Sequence, residues 1–549
     1  MKRVVLFFSP FLLGIPFLLG LIPQSADLPL ILVPFIVMAV TLILGNRLIN
    51  LSSTDPLLLT LLSLWLLWGI SGLLSPVPFP SKITWLIFGA LPLSYMVTVT
   101  YRTNLTSPLI ATAGLLAFYT LWQFGHNIKR PDFPFEDANL LGILMAFAAI
   151  ASFKNRYTLY AVPLFLAALI TTESRTAFLA LIAGLGVYFS LSPAHWEKSK
   201  RFNLIVGTLA MTILIGVMTI FTGFGDRITH TLDHSTGRLA LWSAAWDMSW
   251  IKPLTGLGLG TFHLQYPPFR LEGDNSLGYM THMDPLQMAV ESGWPATILL
   301  YSIFVLAGWI ALKNKTRNAL PAALLTILLI SMHLTYPLHV VAFLVVMGFA
   351  LGLIRSNHHD PHTEPHKTSL FFSGSLLITL LLTTYLSVSA LYTFMIWGEV
   401  KKSAHLHNQP RFDAAMTACL EDADPDFPDC RIMAVRFMFM MPQKDLSQAG
   451  KLLDEAERAN PLNAEIPFLR AQAIFLNAPE KPIETQRLLE KSLALNPAFW
   501  PARKFAITLD LGAGHKDLAR KTLEKGLIYP YPKATRKDIE TMRQQINAD

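Results

Sequence analysis

A helix of roughly 17 to 25 mostly apolar residues crosses the ~30 Å hydrocarbon core of a membrane, because it satisfies its own backbone where no water can. This chain offers such stretches again and again within its first 397 residues. The expected spans lie near 4–22, 28–45, 57–74, 83–99, 108–124, 138–153, 157–171, 176–191, 203–222, 294–312, 319–336, 338–354 and 370–397. Met1, Lys2 and Arg3 before the first apolar run look like the start of a signal peptide, but Phe17 to Pro23 contains no small-residue cleavage site and further spans follow. The first run is therefore expected to remain as an uncleaved helix. The fold class that follows is all-α, a polytopic membrane bundle of about 12–13 spans. Only 15% of the 549 residues are charged, against about 25% in a typical soluble domain, which excludes an ordinary soluble enzyme.

The charges divide the chain further. The last 152 residues hold 22 basic and 21 acidic side chains, and the first 397 hold 22 and 16. Two modules are expected, 1–397 in the membrane and 398–549 outside it. The formal net charge of +7 could suggest an acidic partner such as nucleic acid, but the placement of the charges argues otherwise. With a cytoplasmic N-terminus, the inner side of the membrane module carries 14 basic residues against Asp55, Glu197, Asp360 and Glu364. The outer side carries 8 basic and 12 acidic residues. That asymmetry is the pattern of a multi-pass membrane protein with a cytoplasmic N-terminus, so the excess is an orientation signal and no nucleic-acid partner is expected. With the N-terminus inside, the long loop at about 223–293 falls on the outer side, and an odd number of spans places the C-terminal module outside the cytoplasm.

That module reads as paired amphipathic helices. Leu452-Leu453-Asp454-Glu455-Ala456 leads to Asn460-Pro461, and Leu488-Leu489-Glu490-Lys491-Ser492 leads to Asn496-Pro497, 36 residues later. This spacing resembles tetratricopeptide repeats and implies an α-solenoid. A docking surface for a protein or glycan partner and a cap that merely stabilises the last span both remain open. Cys419 and Cys430, the only cysteines, fall on the outer side, where a disulfide is expected.

The long loop is richest in chemistry. Gly237-Arg238 opens a stretch with Trp242, Trp246 and Trp250 on one helical face, suited to lying at the headgroup level. Arg238 at that depth would meet phosphates. Pro253-Leu254-Thr255-Gly256-Leu257-Gly258-Leu259-Gly260 has the spacing of a nucleotide loop but lacks the preceding strand and the following Lys, so glycines that turn the backbone are the better reading. Tyr266-Pro267-Pro268-Phe269-Arg270 and His282-Met283-Asp284-Pro285-Leu286-Gln287-Met288-Ala289-Val290-Glu291-Ser292-Gly293 close the loop.

Together these segments resemble the O-antigen ligase and polymerase superfamily, which includes bacterial protein O-oligosaccharyltransferases. Glu136-Asp137-Ala138-Asn139-Leu140, Glu173-Ser174-Arg175 and His333-Leu334-Thr335-Tyr336-Pro337-Leu338 add to the likeness, which covers roughly 136–355. The Tyr-Pro-Leu phrase looks most like the protein-glycosylating branch. Members usually carry Asn directly after the His, where this chain has Met283. The resemblance implies transfer of a glycan, with inversion, from undecaprenyl diphosphate to an acceptor hydroxyl on lipid A core, a growing glycan or a protein. A departing diphosphate needs fixed cations, for which Arg238 is the first candidate, with Arg175 and Arg270 beside it. His282 is the candidate acceptor base, with Asp284 as its orienter. Asn139 and His333 are further candidates for contact with diphosphate or glycan, although capping a helix and a satisfied structural histidine are the blander readings of the two.

Other classes compete. A flippase or transporter for a lipid-linked glycan would place polar groups within broken spans of repeated halves, and no such repeat is visible. A noncatalytic membrane scaffold would leave the repeats as the working part. The run His358-His359-Asp360-Pro361-His362-Thr363-Glu364-Pro365-His366 has metal-binding composition but reads better as a solvated linker. No metal-ligand spacing stands out, so neither metal nor cofactor is expected.

Overall fold

The computed structural model describes residues 2–21, 32–44, 53–155, 157–192, 231–271, 274, 276, 278–358, 370–406, 409–441, 446–478, 481–529 and 531–547. Among them there are helices and no strands. Five helical stretches are long and apolar enough to cross a membrane: Pro56–Leu73, Pro78–Tyr101, Asp284–Lys313, Val341–His358 and Phe371–His405. Shorter apolar helices, Val33–Leu44, Ala138–Ser152, Thr158–Thr171 and Arg175–Leu191, pack among them. Leu66, Leu73, Ile378 and Tyr385 stand exposed on the long helices, a cost in water that disappears in lipid. The chain is a multi-pass membrane protein. The expected span at 203–222 and the histidine-rich run from 359 onward lie outside the described residues.

The membrane helices are α1 (Lys2–Leu19), α2 (Val33–Leu44), α3 (Pro56–Leu73), α4 (Pro78–Phe88), α5 (Ala90–Tyr101), α6 (Thr106–Gly125), α7 (Ala138–Ser152), α8 (Val162–Thr171) and α9 (Arg175–Leu191). After the long loop, with α10 (Thr231–Ser249) and the single turn α11 (Phe262–Gln265), come α12 (Asp284–Lys313), α13 (Lys315–Ser331), α14 (Val341–His358) and α15 (Leu370–His405). Side chains cap three starts: Asp55 accepts from the Leu57 amide, Asp137 from Asn139 and Ser174 from Ala177. Close packing of α14 on α5 depends on Gly348 and Gly352, where a methyl group would overlap Ser94, Leu91 and Thr98. Two glycines four apart let backbones approach where lipid offers no hydrophobic drive. At the far end of this pair Arg355 meets Asp55 at 3.0 Å, and the Tyr95 hydroxyl donates to the same carboxylate at 2.6 Å.

The fourth, tenth and last expected spans differ in extent, the last running to His405 rather than 397. The fourth begins at Pro78 rather than near 83, with a break at Gly89. The tenth is preceded by a helical turn region from Asp284 that bends at Gly293 (φ 81°) before the apolar part runs on to Lys313. A proline at 295 removes one ladder donor and suits that bend.

α15 is 36 residues long, about 54 Å at 1.5 Å per residue, and so outruns the hydrocarbon core. It delivers the chain into a stack of α16 (Gln409–Glu421), α17 (Asp429–Met440), α18 (Leu446–Ala459), α19 (Glu465–Asn477), α20 (Pro482–Leu495), α21 (Trp500–Gly512), α22 (Lys516–Glu524) and α23 (Lys533–Asn547). Each helix packs on its neighbours in sequence, and α17, α19, α21 and α23 also touch in series. The two Asn-Pro turns are built alike: Asn460 accepts from the Leu462 amide at 3.1 Å and Asn496 from Ala498 at 3.0 Å. Phe79 of α4 joins Phe394, Trp397 and Phe427 in an aromatic cluster at the root of the stack, and Lys82 forms an ion pair with Asp424.

A disulfide joins Cys419 to Cys430 within that root. By loop-closure entropy over this short separation it contributes about 3 kcal/mol. Replacing both cysteines with serine is expected to make α16 and α17 unfold and become protease-sensitive at lower temperature than in the parent, while the membrane helices retain their melting behaviour. Unchanged limited-proteolysis profiles on heating would remove that contribution.

Candidate active site

His282 sits where the long loop returns to the bundle, and its neighbours pin it. The Thr281 amide donates to Gln287 Oε1 at 3.0 Å, and the Thr281 hydroxyl closes on Met283 C=O at 2.8 Å. Trp242 of α10 donates its indole N–H to the Thr281 carbonyl at 2.8 Å. His282 itself is in the left-handed region, φ 55°, a conformation that costs a non-glycine residue about 1–3 kcal/mol. Arg130 and Glu136, whose charges reach Arg238 and Tyr336, also have positive φ, as do Arg102, Asn127 and Glu173.

The imidazole stands edge-on to Tyr336, ring centroids 5.2 Å apart. Its Nδ1 is buried without a hydrogen-bond partner among the described residues. The Tyr336 hydroxyl bonds to Asp137, and burial together with that carboxylate keeps the phenol protonated, its pKa pushed well up. Asp137 caps α7 and also sits within electrostatic reach of both His282 and Arg238. Burial, reinforced by the Arg238 charge and opposed by Asp137, holds the His282 pKa below its usual value. The ring is therefore neutral near pH 7 and able to accept a proton.

Three guanidinium groups share this space. Arg238 on α10 feels Arg130 and Arg175 as like charges and Asp137 as a counter-charge; burial is the larger influence, and its pKa falls below the ordinary arginine value. All three side chains keep an open face. Asn139 links two parts of the rim, accepting from Arg130 at 3.4 Å and from the Ser174 hydroxyl at 3.0 Å. Ser174 starts the helix whose first residue is Arg175. Arginines grouped in this way carry positive charge that a bound anion would offset.

Beneath lies a buried polar scaffold. Asp284, Gln287 and Glu291 occupy one side of the helix after His282. Asp284 accepts from the Leu338 amide and from His339 Nδ1, both at 2.8 Å. It therefore orients His339, and its expected partnership with His282 is not formed. His339 Nε2 meets Gln287 Nε2 at 3.1 Å, and Gln287 donates on to Glu291 at 3.1 Å. Glu291 receives the amides of Gly260 and Phe262 at 2.8 and 3.1 Å, fixing the glycine turn. A side chain at Gly256 (φ 71°) would overlap the Glu291 backbone, which is why that turn needs glycine there.

Of the residues expected from sequence, His282, Arg238, Arg175 and Asn139 come together. Arg270 is engaged elsewhere, on the Ser276 carbonyl at 2.9 Å, on Asp274 at 3.5 Å and over the Tyr266 ring. His333 bonds the Leu329 carbonyl and the Tyr301 hydroxyl, both at 2.7 Å, the pattern of a satisfied structural histidine. Arg130 and Tyr336 were not singled out beforehand, and each lies in a short connection whose return to the site only folding reveals. Trp246 and Trp250 cluster with Trp294 and remain about half exposed, as interfacial anchors do. No group of three His, Cys, Asp or Glu side chains arranged for a metal occurs among the described residues.

The fold and site define an all-α multi-pass membrane protein in which a histidine and three arginines share one loop-rimmed space. Residues 159–301 match the family model described as O-antigen ligase, a likeness that points to glycosyl transfer of the ligase or polymerase type. The match takes in Arg175, Arg238 and His282 and leaves Arg130, Asp137 and Tyr336 on flanking segments. No curated protein matches the chain.

Proposed function

We propose that the protein transfers a glycan from undecaprenyl diphosphate to an acceptor hydroxyl on the periplasmic face of a bacterial inner membrane. The observation that carries this reading is the grouping of Arg130, Arg175 and Arg238 beside a neutral His282. The arginines stabilise the diphosphate as the anomeric carbon–oxygen bond breaks and charge collects on the leaving group. His282 takes the acceptor's proton as its oxygen bonds to the same carbon, and Tyr336 and Asp137 steady the imidazole. The basic bias of the sequence-assigned inner loops supports this orientation, and a Cys419–Cys430 disulfide suits an oxidising compartment. The C-terminal stack fits a tetratricopeptide-like solenoid that presents or guides the acceptor.

Reconstitution tests it. Purified protein in liposomes, given an undecaprenyl-diphosphate oligosaccharide and, in parallel, lipid A core, free glycan chains or a Ser/Thr-rich pilin-like protein, is expected to glycosylate one of the three. Transfer should persist in EDTA, since arginines supply the positive charge. Donor crossing the bilayer with no acceptor modified would replace the transferase reading with a flippase.

A further inference from the structure

The end of the long loop tucks under the C-terminal stack. The 3₁₀ turn Pro267–Phe269 packs against α20, and beside this contact lies a cavity of about 230 Å³ lined by His263, Pro267, Arg270, Tyr279, Asn496 and Ala498. Neither side of the junction forms it alone: four lining residues come from the loop and two from the second Asn-Pro turn of the stack.

The polar groups in it are held in place. Arg270 is fixed by Ser276, Asp274 and the Tyr266 ring, so it is a stationary donor whose charge is already balanced. The carbonyl oxygen of Asn496 is taken by the Ala498 amide, which orients the carboxamide and leaves its nitrogen as the donor for a ligand. The His263 ring lies 6.3 Å from that of Tyr279, and the surrounding protein lowers its pKa, so it offers one donor and one acceptor in neutral form. Tyr279 is 64% exposed, an unusual state for a tyrosine beside a cavity wall.

An aromatic face with fixed planar hydrogen-bonding groups around it matches a pyranose, which has an apolar C–H face and a rim of hydroxyls. A phosphate would ask for cations without a counter-charge, and Asp274 already balances Arg270. A cavity smaller than the ~300–1,000 Å³ of drug-sized sites suits a single sugar. We propose that this cavity is a saccharide subsite, built jointly by the loop and the C-terminal stack, that holds one sugar of the donor glycan away from the bond being transferred. The proposal rests on the transferase reading above. Because the contact is the same in ground and transition states, it affects KM and leaves kcat alone.

Two donors separate this role from a structural one: undecaprenyl diphosphate bearing one sugar, and the same carrier with that sugar extended to a tetrasaccharide. Tyr279→Ala and Asn496→Ala are expected to raise KM for the longer donor about tenfold, with kcat unchanged and no effect on the shorter donor. Tyr279→Phe, which keeps the ring, should restore the parent value. Equal changes with both donors, or none with either, would overturn the subsite. As an independent measurement, saturation-transfer NMR with the free tetrasaccharide and full-length protein in detergent should show binding that Tyr279→Ala abolishes. Absence of binding to the parent protein would also overturn it. Binding lost in Tyr279→Ala by a protein that transfers neither donor would leave the subsite standing and remove the transferase reading.

Discussion

Replacing His282 with alanine is expected to lower glycan transfer by about 10²–10⁴-fold, the range of a positioned general base, while insertion and protein level persist. The ring rests on Tyr336 and is only partly buried, so truncation leaves the Asp284–His339–Gln287 scaffold intact. The pH profile of the parent carries the sign. A base works when unprotonated, so the rate is present above the His282 pKa and is lost as pH falls through it. Burial and the Arg238 charge set that pKa below the usual ~6.5. The acid limb should therefore fall below pH 6.5. Arg238→Ala, by removing one of the forces that lower the pKa, should move the limb of its residual activity upward. Full activity in His282→Ala, or a limb that ignores Arg238, would take the base assignment away.

Arg238→Ala itself is expected to cost about 10²–10³-fold in kcat, as loss of one preorganised charge donor does. Lysine should recover only part, because a point charge cannot offer two parallel N–H bonds to a phosphate. Arg130→Ala, bonded to Asn139 and within electrostatic reach of Arg238, should show a loss of the same kind although the matched family segment does not contain it. Transfer per inserted molecule, with donor KM measured alongside, checks all three. An Arg238→Ala variant with parental kcat would mean that the arginines merely anchor loops at the interface.

Much of the fold was legible because membrane helices announce themselves by length. Hydropathy located the apolar runs that became α3, α5, α12, α14 and α15, and it could not see the break at Gly89 or the turn region before Gly293, which are set by backbone geometry. At the site, the segments bearing Arg175, Arg238 and His282 were visible as motifs. Their partners were harder to see. Tyr336 sits in a phrase quoted only for its likeness, and Arg130 in a polar turn with no pattern. Asp284 followed His282 so closely that pairing them was natural, yet the helix that begins there turns its carboxylate inward to His339 and the Leu338 amide. Arg270 shared the charge expected of a phosphate ligand, but Asp274 neutralises it four residues on.

The root of the C-terminal stack sets where this chain can be cut and recombined. α4 contacts both halves: Lys82 and Phe79 engage Asp424 and Phe427, while the Ser81 hydroxyl donates to Leu259 C=O at 2.6 Å in the glycine turn. A chimera joined at Trp397, where the composition changes, would strand a lysine without its carboxylate and open an aromatic cluster at the membrane surface. Exchanging the stack together with Phe79, Lys82 and the end of α15 from Phe394 keeps those contacts within one donor sequence. The heritable unit is thus larger than the polar module, and its boundary runs through the side of a transmembrane helix.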